Sequence, residues 1–314
     1  MSYRKCLPGG LSLLLLSCLV QVLSSCQSAT EDVANPDDLC TVTLSVNNYE
    51  QVSFDDVSSP SASPLSRADV PTDHPSTLAH LLVAVYDAGT GQQVTPIQQH
   101  DQSDYTTRHE DYPKFSVTLP YGRYRLLVLG FNGSRKCNIA SPSHISWEED
   151  YVPNTFLYSE EFTLDKDADL DRKVTLRHVV AALCVEAVDA IPTDMKKMRF
   201  SSTAGGTGLD ATTGFTAQNQ GRTSVIEVPA NYAGQSGVPF TTYLFLPEEQ
   251  VSCNYTVQAL GKSDAVLFEK HFSDVPLRIN YLTLWKGNFF ETSEDMGFSL
   301  YWDTQWADTL TIGQ

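Results

Sequence analysis

Apolar and polar residues alternate from Thr41 to Phe54, with Val42, Leu44 and Val46 on one side. A period of two predicts a half-buried β-strand. Ser58–Pro75, rich in Ser, Pro and Asp, reads as a loop. Short β patterns then recur. Leu81–Asp87 ends in the turn signal Ala88-Gly89-Thr90-Gly91. Lys114–Leu119 alternates through Phe115, Val117 and Leu119, turns at Pro120-Tyr121-Gly122 and returns as Tyr124–Phe131. Val174–Val188 is long and apolar. Val179, Ala182, Leu183 and Glu186 would make a helical face, but the β-branched content favours a strand. Val225–Val228, Thr241–Leu246, Tyr255–Leu260, Val266–Phe272, Leu282–Trp285 and Phe298–Trp302 complete the series. Many short strands separated by Gly, Pro, Asn and Asp predict an all-β fold of two tandem β-sandwiches. The polar run Asp165–Asp171 reads as the linker, which gives domains at 40–170 and 171–314.

The N-terminus breaks the pattern. Arg4 and Lys5 precede an apolar stretch, Leu11–Val22, about a dozen residues long. A membrane span needs roughly 20 apolar residues, whereas the h-region of a secretory signal is this short. The stretch ends Leu23-Ser24-Ser25-Cys26. Two small residues before a cysteine suit a lipoprotein signal: residues 1–25 are removed and the Cys26 thiol carries lipid. An ordinary cleaved signal that carries a cysteine is the alternative. A single acyl chain holds a protein to a membrane only marginally, and a lipoprotein carries two or three. Residues 26–39 are polar and acidic, with Pro36, and read as a tether.

The formal charge is −17 at pH 7, and loss of Arg4 and Lys5 with the leader makes it −19. So acidic a chain argues against nucleic acid as a partner, whose recognition needs a basic footprint. Of seven cysteines, Cys40, Cys137, Cys184 and Cys253 remain after the leader and Cys26 are set aside. In an oxidising compartment they allow three pairings. One bridge per half, Cys40–Cys137 and Cys184–Cys253, is the preferred set, with buried free thiols the alternative. No Cys-x-x-Cys or His-x₃-His spacing accompanies them, so no metal or other cofactor is expected.

Candidate catalytic groups do not assemble into a site. Asp165, Asp167 and Asp169 have the spacing of a calcium loop, but Leu170 and Leu176 stand where it needs Gly and Glu. Gly205-Gly206-Thr207-Gly208 lacks the Lys-Ser/Thr of a phosphate loop and reads as a hairpin tip. Glu148, Glu149 and Asp150 are adjacent carboxylates, which more often face water than act on a glycosidic bond. Seven histidines are scattered, and there is no Gly-x-Ser-x-Gly elbow. No enzymatic activity is expected. Trp147, Tyr151, Tyr158, Trp285, Trp302 and Trp306 could make a sugar-stacking platform, which leaves a surface glycan-binding lipoprotein as the alternative function.

The order of several segments resembles the fimbrillin superfamily of Bacteroidales type V fimbriae, in particular its FimB-like anchor and minor-subunit group. These segments are the lipobox and tether, Ser66-Arg67-Ala68 in the loop after the first strand, and His80–Gln92. Leu119-Pro-Tyr-Gly-Arg-Tyr-Arg-Leu, Leu176–Leu183 and Ile279-Asn-Tyr-Leu-Thr-Leu-Trp-Lys-Gly-Asn follow. The resemblance covers roughly residues 23–290. It implies two transthyretin-like Greek-key sandwiches and attachment to the outer membrane through Cys26. It implies other fimbrial subunits as partners, with strand exchange as the means of assembly and cell adhesion as the purpose. It also implies a protease site at Arg67–Ala68. Cutting there would release the first strand with its lipid and suit a stalk or tip subunit; an uncut chain would suit an anchor or accessory subunit, the favoured role. Residues 298–314 are the expected donor strand.

Overall fold

The computed structural model describes residues 39–49, 78–101, 114–166 and 168–291. The expected leader and Cys26, the expected tether as far as residue 38, Arg67, Ala68 and residues 298–314 lie outside the described residues. The fold is all-β.

The first half contains β1 (Leu39–Tyr49), β2 (His80–Asp87), β3 (Gln98–Asp101), β4 (Phe115–Pro120) and β5 (Gly122–Phe131). β6 (Cys137–Ser141), β7 (His144–Trp147), β8 (Thr155–Leu164) and β9 (Leu170–His178) follow. One sheet runs β3-β2-β5-β8-β9-β1-β4. β8 and β9 pair through Phe156–His178 and Leu157–Arg177 at the end far from their connecting turn. They splay from there, so β3-β2-β5-β8 and β9-β1-β4 become two leaves over one core. Leu81, Val83, Val85, Leu126 and Val128 of one leaf meet Val42, Leu44, Val117, Val174 and Leu176 of the other.

The second half contains β10 (Ala181–Ala187), β11 (Lys197–Ser202), β12 (Leu209–Asp210), β13 (Phe215–Thr216) and β14 (Arg222–Glu227). β15 (Val238–Leu244), β16 (Gln250–Leu260), β17 (Val266–Arg278) and β18 (Leu282–Gly287) complete it. Its leaves are β14-β11-β16-β17 and β15-β10-β18. The order repeats that of the first half strand for strand, with β10 in the place of β1 and β18 in the place of β9. In each half the first strand lies between an antiparallel neighbour and a parallel last strand.

This topology moves the expected boundary. Of the acidic run, Asp165, Lys166, Ala168 and Asp169 lie in the turn from β8 into β9, inside the first sandwich, and Leu170 and Asp171 open β9. Asp169 Oδ1 accepts the Thr41 N–H at 2.8 Å, and the Asp165 carbonyl accepts the Cys40 thiol at 3.3 Å. β9 pairs with β1 and so completes the first half, which puts the crossing at Val179–Val180. A surface turn and an interdomain linker have the same polar composition, so the run alone did not distinguish them.

A third core joins the halves. β6 and β7 leave the first half between β5 and β8, while β12 and β13 leave the second between β11 and β14. Together they form a sheet of order β13-β12-β7-β6, joined where Leu209 pairs with Ile145. Under it, Leu82, Ala84, Leu127 and Leu129 from the back of the first sandwich pack with Val179, Val180, Ala182 and Phe245 of the second. β2, β5 and β10 are therefore buried on both faces, which is why they read as continuous apolar runs.

The expected disulfides do not form; all four cysteines are free thiols. Cys40 lines the first core, whereas Cys137 packs beside the third. Cys253 faces the second core. The inward set on β10 is Ala181, Leu183, Val185 and Ala187, so the period of two turns Cys184 to the opposite face.

Candidate strand-exchange site

β1 is the element that best matches a functional expectation. Cys40, Val42, Leu44 and Val46 are all buried, and Thr41, Thr43 and Ser45 between them are half-buried. On one side β1 runs antiparallel to β4, with Val42 opposite Val117 and Leu44 opposite Phe115. On the other it runs parallel to β9, with Val42 opposite Leu170 and Val46 opposite Val174. Both neighbours come from far along the sequence. β1 is thus the middle strand of its leaf, yet it joins the described chain only through the segment 50–77, which contains Arg67 and Ala68. Without it, β4 and β9 would present unpaired backbone edges across a gap one strand wide, above an open core. Burial of its four apolar side chains contributes about 2 kcal/mol each before entropic costs.

Other sequence candidates are scattered. Trp147 and Trp285 are buried in the third and second cores. A ring must be exposed to stack on a sugar, so these two take no part in a sugar platform. Trp302 and Trp306 lie outside the described residues. Tyr151 is half-buried against the third core; Tyr158 donates to Glu160. Glu148, Glu149 and Asp150 form an exposed 3-10 turn, with Glu149 paired to Arg135 at 2.5 Å. The Gly205–Gly208 loop is pinned by the Gly206 N–H, which donates to the Phe245 carbonyl at 3.0 Å; a Cβ at Gly206 would meet the Gln218 carbonyl at 2.2 Å. It is a close packing of backbones. His178 is buried; His80 pairs with Asp101, His100 lies edge-on to Phe115 and His271 pairs with Glu269, each apart from it. Among the described residues no three His, Cys, Asp or Glu side chains gather as metal ligands.

One crevice was not anticipated. It encloses about 240 Å³ where β16 begins and β17 turns into β18, between Ser252, Arg278, Tyr281 and Thr283. The Arg278 guanidinium lies 4.4 Å over the Tyr281 ring, and its Nε is 3.7 Å from Glu249.

The fold and this site define a tandem β-sandwich protein whose first strand is inserted from one end of the chain. The chain belongs to a family of unknown function (DUF6562), whose model matches residues 39–312. No curated protein matches it. Among solved structures it is similar to the tip fimbrial protein Mfa3 from Porphyromonas gingivalis, at 9% identity and a TM-score of 0.39, covering 83% of this chain and 98% of that one. It is also similar to the fimbrial anchor protein Mfa2 from the same organism, at 13% identity and a TM-score of 0.37, covering 74% and 82%. Likenesses this distant carry no argument about function.

Proposed function

We propose that the chain is a non-enzymatic fimbrial subunit, in an anchor or accessory role, which assembles by β-strand exchange and supports cell adhesion. Lipid on Cys26 would hold it at the outer membrane, and other fimbrial subunits would be its partners. The observation that carries the reading is the position of β1: a middle strand, closing one core, joined to the rest through the segment bearing Arg67–Ala68. A strand so placed is exchangeable in principle, since an edge of unpaired backbone with alternate pockets accepts any strand of matching pattern. The order of family-like segments from the lipobox to Asn280-Tyr281 supports the same reading. Residues 298–314 are the proposed donor.

Two measurements test it. The intact lipoprotein is treated with an arginine-specific protease and weighed by mass spectrometry. An anchor keeps Cys26 and its full length; a stalk or tip subunit is cut at Arg67–Ala68. Deletion of residues 298–314 is expected to shorten or detach fimbriae, and fimbriae of unchanged length and attachment would refute the donor assignment.

A further inference from the structure

The chain enters each sandwich on one strand and leaves it on a parallel neighbour. In the first half it enters at the N-terminal end of β1 and leaves at the C-terminal end of β9, with Val42–Val46 alongside Leu170–Val174 and, past a bulge, Asn48 and Tyr49 alongside Thr175 and Leu176. In the second it enters on β10 and leaves on β18, with Ala182–Ala187 alongside Leu282–Gly287. β9 passes into β10 through Val179 and Val180 alone, both buried. Beyond β18, the Phe289 and Phe290 N–H groups donate to the two oxygens of Asp189 at 2.8 and 2.5 Å, which fastens the exit beside the end of β10.

Consider tension along the chain. It draws β1 toward its N-terminal end and β9 toward its C-terminal end. The two strands are parallel and adjacent, so they slide past each other along their shared axis. Along the regular stretch, Val42–Val46 against Leu170–Val174, the evenly spaced bonds of a parallel ladder then take the force together. Peeling from one end would instead break them one after another. Sliding must also drag Val42, Leu44 and Val46 through a close-packed core. The same geometry holds for β10 and β18, where Leu183, Val185 and Trp285 would have to move.

We infer a further function for the fold: two shear clamps in series that hold axial tension. Its use in the cell rests on the fimbrial reading, in which the chain is pulled between lipid and partner. The clamp itself belongs to the isolated protein, so the two readings can fail separately.

Single-molecule pulling on the lipid-free chain, residues 27–314, tests it in two geometries. Handles at both ends load the clamps in shear. Handles at residue 27 and at Ala168, an exposed position in the turn before β9, draw on β1 and β9 from the same end and peel them apart. The protein is identically folded in both, and forced unfolding reports the unfolding barrier directly. At one pulling speed the first rupture in shear is expected at a higher force than the first rupture in peeling. Equal forces, or a lower force in shear, would overturn the inference. A Leu44→Ala variant should lower the shear force if β1 is the sliding strand; an unchanged force for every rupture would remove β1 from the clamp.

Discussion

The imidazole of His178, the last residue of β9, hydrogen-bonds the side-chain oxygen of Asn280, in the turn between β17 and β18, at 2.8 Å. Its other nitrogen meets Asn154, and its face stacks on Phe156 at 4.4 Å. One buried ring therefore touches both sandwiches.

Burial pushes the His178 pKa down to about 4, against a smaller upward pull from Asn280. The unfolded chain takes up this proton near pH 6.5 and the folded chain only near pH 4. Between those values the unfolded state holds more protons, so stability is full above pH 6.5 and falls as the pH drops toward 4. The loss across the window is about 3 kcal/mol. Urea unfolding at pH 7 and pH 4.5 should show it, and His178→Gln should lose the part of the slope that this ring supplies. An identical slope in the variant would assign the acid sensitivity to other groups.

Leu44 is buried at the centre of β1, opposite Phe115. Leu44→Ala should cost about 3 kcal/mol, the usual range for a buried leucine. The measurement is the denaturation midpoint. A cost below about 1 kcal/mol would mean that β1 contributes little to the first core.

Burial raises the thiols of Cys137 and Cys184 to about 12 and that of Cys253 to about 11. The thiolate is the reactive form, so these groups should resist a thiol reagent at pH 8 until the chain unfolds. A reducing agent should leave the melting temperature unchanged. A fall in melting temperature would restore a disulfide.

Leu209 and Ile145 are both fully buried where the two excursions meet. A charge placed there goes without a partner. Ile145→Asp should open the third core and divide one unfolding transition into two, as read by calorimetry. A single transition at a lower temperature would show that the sandwiches couple through other contacts.

Part of this fold was legible from the residues. The alternation of β1 and β4 survives because each has one face inward and one outward. β8 was missed: Phe156 and Leu157 are both buried, on opposite faces, and Glu160 and Glu161 then stand side by side. That breaks both periods. Those glutamates serve cross-strand pairs, Glu161 with Arg125 at 2.5 Å and Glu160 with Arg172 at 3.0 Å, which no local pattern announces. β6, β7, β12 and β13 are too short for a period to emerge, so the third core was invisible.

The segments that carried the resemblance acquire reasons. Tyr124 donates to the Pro120 carbonyl at 2.9 Å and closes the turn between β4 and β5. Asn280 accepts a left-handed backbone, φ 64°, while its N–H reaches the Val180 carbonyl at 2.9 Å. Thr283 donates to the Pro276 carbonyl at 2.6 Å, and Lys286 pairs with Glu186 at 2.6 Å. The role of β1 was legible as a strand but not as a middle strand, because its partners lie at 115–120 and 170–176.

The two excursions leave their sandwiches at different connections, β5 to β8 in one and β11 to β14 in the other. The repeat is therefore not interchangeable with itself. A recombinant that exchanged one half for a homologous half would strand Ile145 or Leu209 without its counterpart. Hybrids should be viable only when β6–β7 and β12–β13 travel together, so the unit of inheritance is the matched pair of excursions and not the sandwich.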